Sequence, residues 1–418
     1  WLARPPLPDS LRAPQRAVVV GAGIAGAATA ARLALRGWEV TVLDAGPGPG
    51  APGWTAASGN PAAILYPKLA PAALADDHFQ QQAYLFTLRE LAALPATSGL
   101  WQPCGVLQLL AGNQVREGDK LAGHPWAGLL ARACTPEAAS QLAGIALPCA
   151  AQFYPGAGWL DAAGFCRQLL ATPGIHLQTQ RPVARLAQDD AGHWQALAAD
   201  GRLLASAPVL VLAGGLGMRA LPETDGLPLR PVRGQISRLA PSAASRGLRT
   251  VLCYGGYLSP VLPGGEHCLG ATFQPGREDI EEAADDHAEN RAGLRQLLPA
   301  LADSLPPTAA WQGRAALRCQ SPDYLPMVGP LADAAVMAAD YAGLADGRVQ
   351  DYPTLAVRPG LYANLAHGSK GFTNALLSAE VLAAELCGEP APVSQACLDA
   401  LHPMRFVIRA LRRRQAPR

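Results

Sequence analysis

Residues 17–44 read AVVVGAGIAGAATAARLALRGWEVTVLD. The opening AVVV is a short apolar run without polar alternation, the composition of a strand covered on both faces of a parallel sheet. IAGAATAARLALRG is an alanine-rich helical stretch closed by Gly37, and EVTVLD is a second buried strand. At the junction of first strand and helix, Gly21, Gly23 and Gly26 form G-x-G-x-x-G. The first glycine permits a tight turn, the second lets a pyrophosphate approach the backbone, and the third lets helix and strand close up. The unpaired N–H groups at the helix start, those of Ile24 and Ala25 among them, then face the phosphates. Asp44 closes the second strand, at the separation where an acid accepts hydrogen bonds from a ribose 2′-hydroxyl. FAD, NAD and NADP all use this fingerprint. An acid at Asp44 disfavours NADP by repulsion with its 2′-phosphate, and the choice between FAD and NAD passes to the rest of the chain.

Outward from this unit, the chain has 418 residues, for which two domains are the default. Half of the residues are hydrophobic and only 16% are charged, ample for a large core and contrary to disorder. A net charge of +1 advertises no polyanionic partner for the molecule as a whole, so any basic patch must be local. The 9 cysteines are scattered without a CxxC, and the 8 histidines form no metal-ligand spacing. That pattern predicts a reducing cytoplasm, free thiols and no metal. Lys68, Lys120 and Lys370 are the only lysines, which marks any that falls in a motif. Residues 17–31 are uncharged but too short and glycine-rich to cross a membrane, and no basic segment of a signal peptide precedes them. The proline-rich start, RPPLPDSLRAP, reads as an interdomain linker.

Further along, 77–94 has helical periodicity and GVLQLL at 105–110 reads as a strand. Residues 194–215 read as a hairpin, a buried strand and a glycine turn. Several antiparallel strands are predicted over 229–273, then an acidic helix over 278–299. A last strand, GLYANLAHG, enters the helix SKGFTNALLSAEVLAAELCG. The return to β-α after antiparallel strands predicts an α/β fold: a discontinuous Rossmann-like domain with an inserted, largely antiparallel β substrate domain. The expected boundaries are a linker at 1–15 and nucleotide-binding parts at 16–100, 156–228 and 316–390. Substrate-domain parts are expected at 101–155 and 229–315, and a basic tail at 391–418.

With these stretches in place the chain resembles the D-amino-acid-oxidase-like family of flavoenzymes. Within it, the resemblance is to the FAD-dependent domain of bifunctional enzymes that modify the wobble uridine of tRNA, from about residue 15 to near 388. AASGNPAAILYPKL (56–69) is similar to the family's segment along the pyrophosphate and isoalloxazine, with Ala57, Ser58, Gly59 and Asn60 against the cofactor. RPV (181–183) resembles the strand whose backbone, at Val183, contacts the adenine. VLAGGLG (211–217) resembles the glycine turn beside the cofactor, at Ala213 and Gly214. RGQISRL (233–239) and YLSPVLPGGEHCLGATF (257–273) look like substrate-domain strands. RCQSPDYLPMVGPL (318–331) resembles the segment leading back to the flavin at Gly329. NLAHGSKGFTNALLSAEVLA (364–383) sets His367, Gly368, Ser369, Lys370, Gly371, Phe372 and Thr373 at a helix N-terminus, which favours negative charge on the pyrimidine end of a flavin.

The resemblance implies FAD, held non-covalently because the spacing of Cys319 does not suit a flavin-linking cysteine. It implies a 5-carboxymethylaminomethyl-uridine in tRNA as substrate, oxidised at the glycine-like methylene to give glyoxylate and a 5-aminomethyl-uridine. A carboxylate of that kind favours a bidentate arginine. Arg318 is the first candidate and Arg233 and Arg314 the next, with Tyr254 and Tyr257 as cavity aromatics. Lys370 and Lys68 fall in flavin-side motifs and are the candidates for electrostatic assistance. The segment RFVIRALRRRQAPR (405–418) places arginines near one helical face, a candidate contact for tRNA phosphates. The methyltransferase half of the bifunctional enzymes has no counterpart here, so no methyl transfer is expected. The rival readings are a free D-amino-acid, glycine or sarcosine oxidase, and a non-catalytic flavin-bound module that presents tRNA.

Overall fold

A computed structural model of the chain describes residues 15–67, 69, 78–110, 121, 124–347 and 350–413. Lys68, most of the N-terminal linker and the last five residues of the basic segment lie outside them. The chain divides into two compact units, one of 1–58, 166–231 and 318–418, the other of 59–165 and 232–317.

The first unit is built on the stretch that opens the sequence. Strand β1 (Arg16–Val20) leads through the glycine turn into helix α1 (Ile24–Ala34) and on to β2 (Glu39–Leu43). Later segments add β3 (Ile175–Gln178), β4 (Val209–Leu212), β5 (Met327–Ala332) and β6 (Val357–Leu365). Among the described residues the order across this sheet is β5-β6-β4-β1-β2-β3. All neighbours are parallel except β5 against β6, so a parallel sheet carries one antiparallel edge. The parallel strands are apolar because both faces are covered. Val18, Val20, Leu210, Leu212, Leu361 and Leu365 enter one core of buried side chains.

Parallel pairing has a direct consequence for function. Val20 of β1 is in register with Leu212 of β4, and Leu212 in turn with Ala363 of β6. The carboxyl ends of all three strands therefore face one edge, where ligands of open α/β sheets bind. Helix α2 (Gly371–Cys387) starts from that edge and lies against α1. A final helix, α3 (Arg405–Arg412), buries Val407, Ile408 and Leu411 in the same core. The segment expected as a tail over 391–418 is thus folded structure through Arg413.

The second unit carries a nine-stranded sheet among the described residues, in which 106–109 pairs in parallel with 251–253 and antiparallel with 151–154. A smaller three-stranded antiparallel sheet joins Ala63–Leu65, Gly158–Leu160 and Trp101–Gln102. Residues 59–100, expected with the nucleotide-binding part, cluster with this unit. The reason is β pairing: Ala63–Leu65 hydrogen-bonds across to Gly158–Leu160, which ties the segment to this unit's own strands.

Candidate functional site

The glycine turn is closed by sterics. Gly21 has φ +111, and a Cβ there would lie 2.7 Å from the Cα of Gly214. A Cβ on Gly26 would lie 1.8 Å from the carbonyl oxygen of Gly21, so only glycine lets α1 dock on the turn. Gly23 precedes α1 and has no side chain to cap it. Ser58, remote in sequence, supplies the cap: its Oγ accepts the Ile24 N–H at 3.0 Å. Asp44 binds the turn from the other side, accepting the Ala22 N–H at 2.7 Å on Oδ2 and the Gly46 N–H at 2.8 Å on Oδ1. Both bonds leave further lone pairs on the carboxylate for a ribose hydroxyl. The backbone of Arg181 pairs with Asp44 itself, which carries Val183 along the same side of the unit.

The other cofactor candidates of the first unit meet at the same edge. Ala213 and Gly214 follow β4, against Gly21. The next residue, Gly215, faces Cys319, whose Cβ would lie 3.7 Å from a Cβ on that glycine. Gly368 has φ +58 and lies beside Gln320, which also forms a β-bridge with His367. A Cβ on Gly371, the first residue of α2, would be 3.4 Å from Ile24 and 3.8 Å from His367. The starts of α1 and α2 are therefore neighbours, and two helix N-termini face one crevice. Gly329 lies on β5 with φ +131 and pairs with Ala363. Ser369 is exposed, Lys370 and Phe372 are half-buried, and Thr373 is buried. Ala57 is exposed beside the buried Ser58.

A polar chain that the sequence did not reveal runs beneath these turns. Asn364 at the end of β6 donates to Thr29 of α1 at 2.9 Å, and the Nε2 of His367 meets the Asn364 Oδ1 at 2.9 Å. Burial pushes the His367 imidazole down to about 4, and its Nδ1 has no hydrogen-bond partner among the described residues. Thr29 and Asn364 each lie in a stretch already singled out, but nothing in a single sequence pairs positions so far apart.

The arginine candidates separate sharply. Arg318 is half-buried on the strand Gln312–Gln320, directly before Cys319. Burial raises the Cys319 thiol to about 12, so it is held as a thiol. Arg314, in the second unit, donates to the Asn60 Oδ1 at 2.8 Å, and burial lowers its guanidinium from the ordinary arginine range. Arg233 is a correction. It is fully buried, and its donors go to Asp279 (3.0 Å), Gln274 (3.0 Å), Asp286 (2.5 Å), Gln235 (3.2 Å) and the Glu281 carbonyl (2.5 Å). An arginine offers five N–H groups, so none is left for a substrate carboxylate. Arg233 is a structural ion-pair residue.

Tyr254 is likewise core, its ring among Leu252, Leu258 and Leu294 and its hydroxyl raised by burial. Tyr257 is half-buried, with its hydroxyl 3.3 Å from the Cys268 sulfur. In the basic segment, Arg405 is buried and its guanidinium donates to both oxygens of Asp323 at 2.9 Å, while Arg409 donates to Oδ2 of the same carboxylate. Two of the arginines assigned to phosphate contact are therefore committed inside the unit.

This crevice suits a flavin dinucleotide. It has a backbone cradle that a single Cβ would fill, two helix N-termini for a pyrophosphate, and an acid placed for a ribose. Among the described residues no group of three or more His, Cys, Asp or Glu side chains is placed to hold a metal ion. No helix of the described residues is long and apolar enough to cross a membrane.

Comparison with known proteins agrees with the geometry. The model of the FAD dependent oxidoreductase (DAO) family matches residues 16–385. A tRNA 5-methylaminomethyl-2-thiouridine biosynthesis bifunctional protein, MnmC, of Pseudomonas putida (strain GB-1) is 44% identical over 98% of this chain and 62% of its own length. The MnmC protein of Chromobacterium violaceum is 42% identical over 99% of this chain and 62% of its own length. The chain thus spans 62% of these curated relatives. Among solved structures, glycine oxidase from Geobacillus kaustophilus superposes with a TM-score of 0.71 at 21% identity, covering 93% of this chain and 99% of that one. The likeness at that identity is one of fold, and the fold is the D-amino-acid-oxidase-like α/β arrangement read from the sequence. By the family match and the crevice together, this chain belongs to the FAD dependent oxidoreductase family and is an FAD-dependent oxidoreductase.

Proposed function

We propose that the chain removes the carboxymethyl group from a 5-carboxymethylaminomethyl-uridine, or its 2-thio form, at the wobble position of tRNA. The products are the 5-aminomethyl-uridine and glyoxylate. The observation that carries this reading is the similarity of 42–44% over 98–99% of the chain to relatives named for 5-methylaminomethyl-2-thiouridine biosynthesis in tRNA. The substrate side chain is a secondary amine bearing CH₂–COO⁻, so the bond to be oxidised is a C–H next to nitrogen. Bound FAD supplies the two-electron acceptor for that methylene hydride. As the hydride leaves, the nitrogen lone pair closes a C=N bond. Water then adds to the carbon, and cleavage of the C–N bond releases the primary amine and glyoxylate.

The chain's own residues bind and orient. The N–H groups at the starts of α1 and α2 would hold the cofactor's pyrophosphate and favour negative charge on its flavin. Asp44 accepts from the ribose and Ser58 keeps the first turn of α1 in place. Arg318 is the leading candidate to grip the substrate carboxylate bidentately, and Arg314, set by Asn60, is the second. Lys370 adds positive charge at the start of α2. The cofactor is non-covalent on this reading, because Cys319, which lies beside Gly215, is held as a thiol, a poor nucleophile. We further propose a cytoplasmic setting, and that methyl transfer, if it accompanies this reaction, belongs to a separate methyltransferase unit.

The test is anaerobic bleaching of the flavin absorbance by tRNA bearing the carboxymethylaminomethyl group, with sarcosine and glycine in parallel. Bleaching by the modified tRNA alone is expected, and Arg318→Ala should lower its kcat/KM by at least tenfold while FAD is retained. Bleaching by the small amines and none by tRNA would replace this reading with a free amine oxidase. No bleaching by any amine would leave a flavin-bound presenting module.

A further inference from the structure

We propose that Tyr324 is a stacking platform for an unpaired nucleobase of the tRNA substrate, one that flanks the uridine entering the crevice. The inference rests on the tRNA reading above and deepens it by naming where the RNA loop is held.

Tyr324 lies in the turn SPDYLP (321–326), between the strand Gln312–Gln320 and β5. Its φ is +64, and among the described residues only Gln180 and Ala366 share a positive φ without being glycine. The left-handed region crowds a Cβ against its own backbone, and a bulky residue there is an outlier. Burial of the ring does not offset that strain, because Tyr324 is 62% exposed. A glycine would take the same backbone conformation at no steric cost. The turn is nevertheless held rigid on both sides of the residue. The Tyr324 N–H reaches the Ser321 carbonyl at 3.3 Å, and the Leu325 N–H donates to Asp323 Oδ1 at 3.2 Å. Ser321 Oγ donates to the Leu325 carbonyl at 2.6 Å. The buried Arg405 donates to both Asp323 oxygens at 2.9 Å and to the Leu325 carbonyl at 3.0 Å. One guanidinium thus grips the residues before and after Tyr324, and the ring is placed before any ligand arrives. Strain kept in this way around an exposed ring leaves the ring a use other than packing.

Charge and position select the partner. Arg409 also bonds Asp323 and its side chain is 42% exposed, so a cation stands at the residue next to Tyr324. Arg412 and Arg413 are exposed further along the same helix. An exposed ring with arginines beside it suits single-stranded nucleic acid, the ring stacking on a base and the cations meeting phosphates. Gln320, four residues before Tyr324, forms a β-bridge with His367 at the glycine turn before α2. Four residues of chain span at most about 14 Å, which keeps Tyr324 close to the crevice wall. A uridine drawn into the crevice leaves its neighbours in the loop unstacked, and a ring so placed can receive one of them.

The test compares the intact, FAD-loaded chain with Tyr324→Gly and Tyr324→Phe in binding tRNA that bears the carboxymethylaminomethyl group. Tyr324→Gly should melt no lower than the wild type yet raise the dissociation constant for that tRNA about tenfold. Tyr324→Phe, which keeps the ring, should bind as the wild type does. Flavin bleaching by the isolated modified nucleoside, which has no flanking base, should be unchanged in both variants. An abasic residue on one side of the wobble uridine should weaken binding to the wild type about tenfold and cause no further loss in Tyr324→Gly. Unchanged tRNA affinity in Tyr324→Gly overturns the proposal and leaves the ring to a protein partner. A lowered melting temperature in Tyr324→Gly, weak binding in Tyr324→Phe, or losses that add for abasic residues on both sides overturn it as well. Loss of nucleoside bleaching overturns it by assigning the ring to the crevice. Failure of the wild-type chain to bind the modified tRNA, or to be bleached by it, sinks the tRNA reading itself.

Discussion

Gly21, Gly23 and Gly26 look equivalent in a motif, yet the space around each differs. A methyl group at Gly26 meets a backbone carbonyl at 1.8 Å and nothing flexible can move aside. At Gly23 the nearest atom is the Ser58 hydroxyl at 3.2 Å, the end of a rotatable side chain. Gly26→Ala is therefore expected to destabilise the chain by about 1–3 kcal/mol or more and to abolish FAD retention on gel filtration. Gly23→Ala should fold normally and bind FAD more weakly; equal behaviour of the two variants in urea unfolding would contradict this reading. Arginines divide in the same manner. Removing Arg233 leaves Asp286, 1% exposed, without its charge partner, and Arg233→Ala should cost about 3–5 kcal/mol in urea unfolding. Arg318→Ala is expected to show its effect on substrate, as a fall in kcat/KM with FAD retained. In the sequence the two residues were rivals for one role. What separates them is the convergence of Asp279, Asp286, Gln274 and Gln235 on Arg233, a set drawn from distant segments that no local spacing reveals.

Among elements, the β-α-β start and the helix Gly371–Cys387 were legible because each is a continuous periodic run with its own glycine signals. The nine-stranded sheet was legible only as a tendency. Strands of two to five residues such as Tyr257–Leu258 and Gln274–Pro275 hold their places through partners far along the chain. The acidic helix starts at Ala284, later than its charge pattern predicts, because Asp279, Glu281 and Glu282 are drawn off to Arg233 and His287. Helix α3 shows its arginines plainly in the sequence, while its apolar face rests on only Val407, Ile408 and Leu411. That face joins the core while Arg405 and Arg409 clamp Asp323. Burial alone would raise the Asp323 carboxyl, but the two guanidiniums override it and hold it well below the usual range. A carboxyl lowered on folding stabilises above its unfolded value and loses that contribution as pH falls below it. His367 has its folded value lowered to about 4, so the folded chain resists a proton that the unfolded chain accepts below about pH 6.5. Its contribution is therefore lost as pH falls from about 6.5 to about 4. Urea midpoints across pH should show two separable losses. His367→Phe should flatten the window between about pH 6.5 and pH 4, and Asp323→Asn the fall below about pH 4. A profile in which either variant keeps the full acid slope of the wild type would contradict the assignment.

For the whole molecule, the proposed tRNA substrate is a polyanion while the chain carries a net charge of only +1. Nonspecific attraction across the surface is small at that charge, so tRNA recognition has to come from few local cations and from the modified base itself. Arg405 and Arg409 of helix α3 bond Asp323, and Arg412 and Arg413, at the end of the helix, are exposed. A site of two or three phosphate contacts predicts a salt dependence of binding with a slope of only about −1.5 to −3 in log K against log salt. Arg412→Glu with Arg413→Glu should lessen that slope by about 1–2 and weaken tRNA binding. FAD affinity and bleaching by a minimal nucleoside bearing the carboxymethylaminomethyl group should be unchanged, because both arginines lie on α3, outside the glycine turns. A steep slope that survives the double substitution would move the RNA contact away from α3 to another face of the chain. Loss of nucleoside bleaching would show instead that the end of α3 supports the flavin crevice, and that its arginines are structural like the two before them.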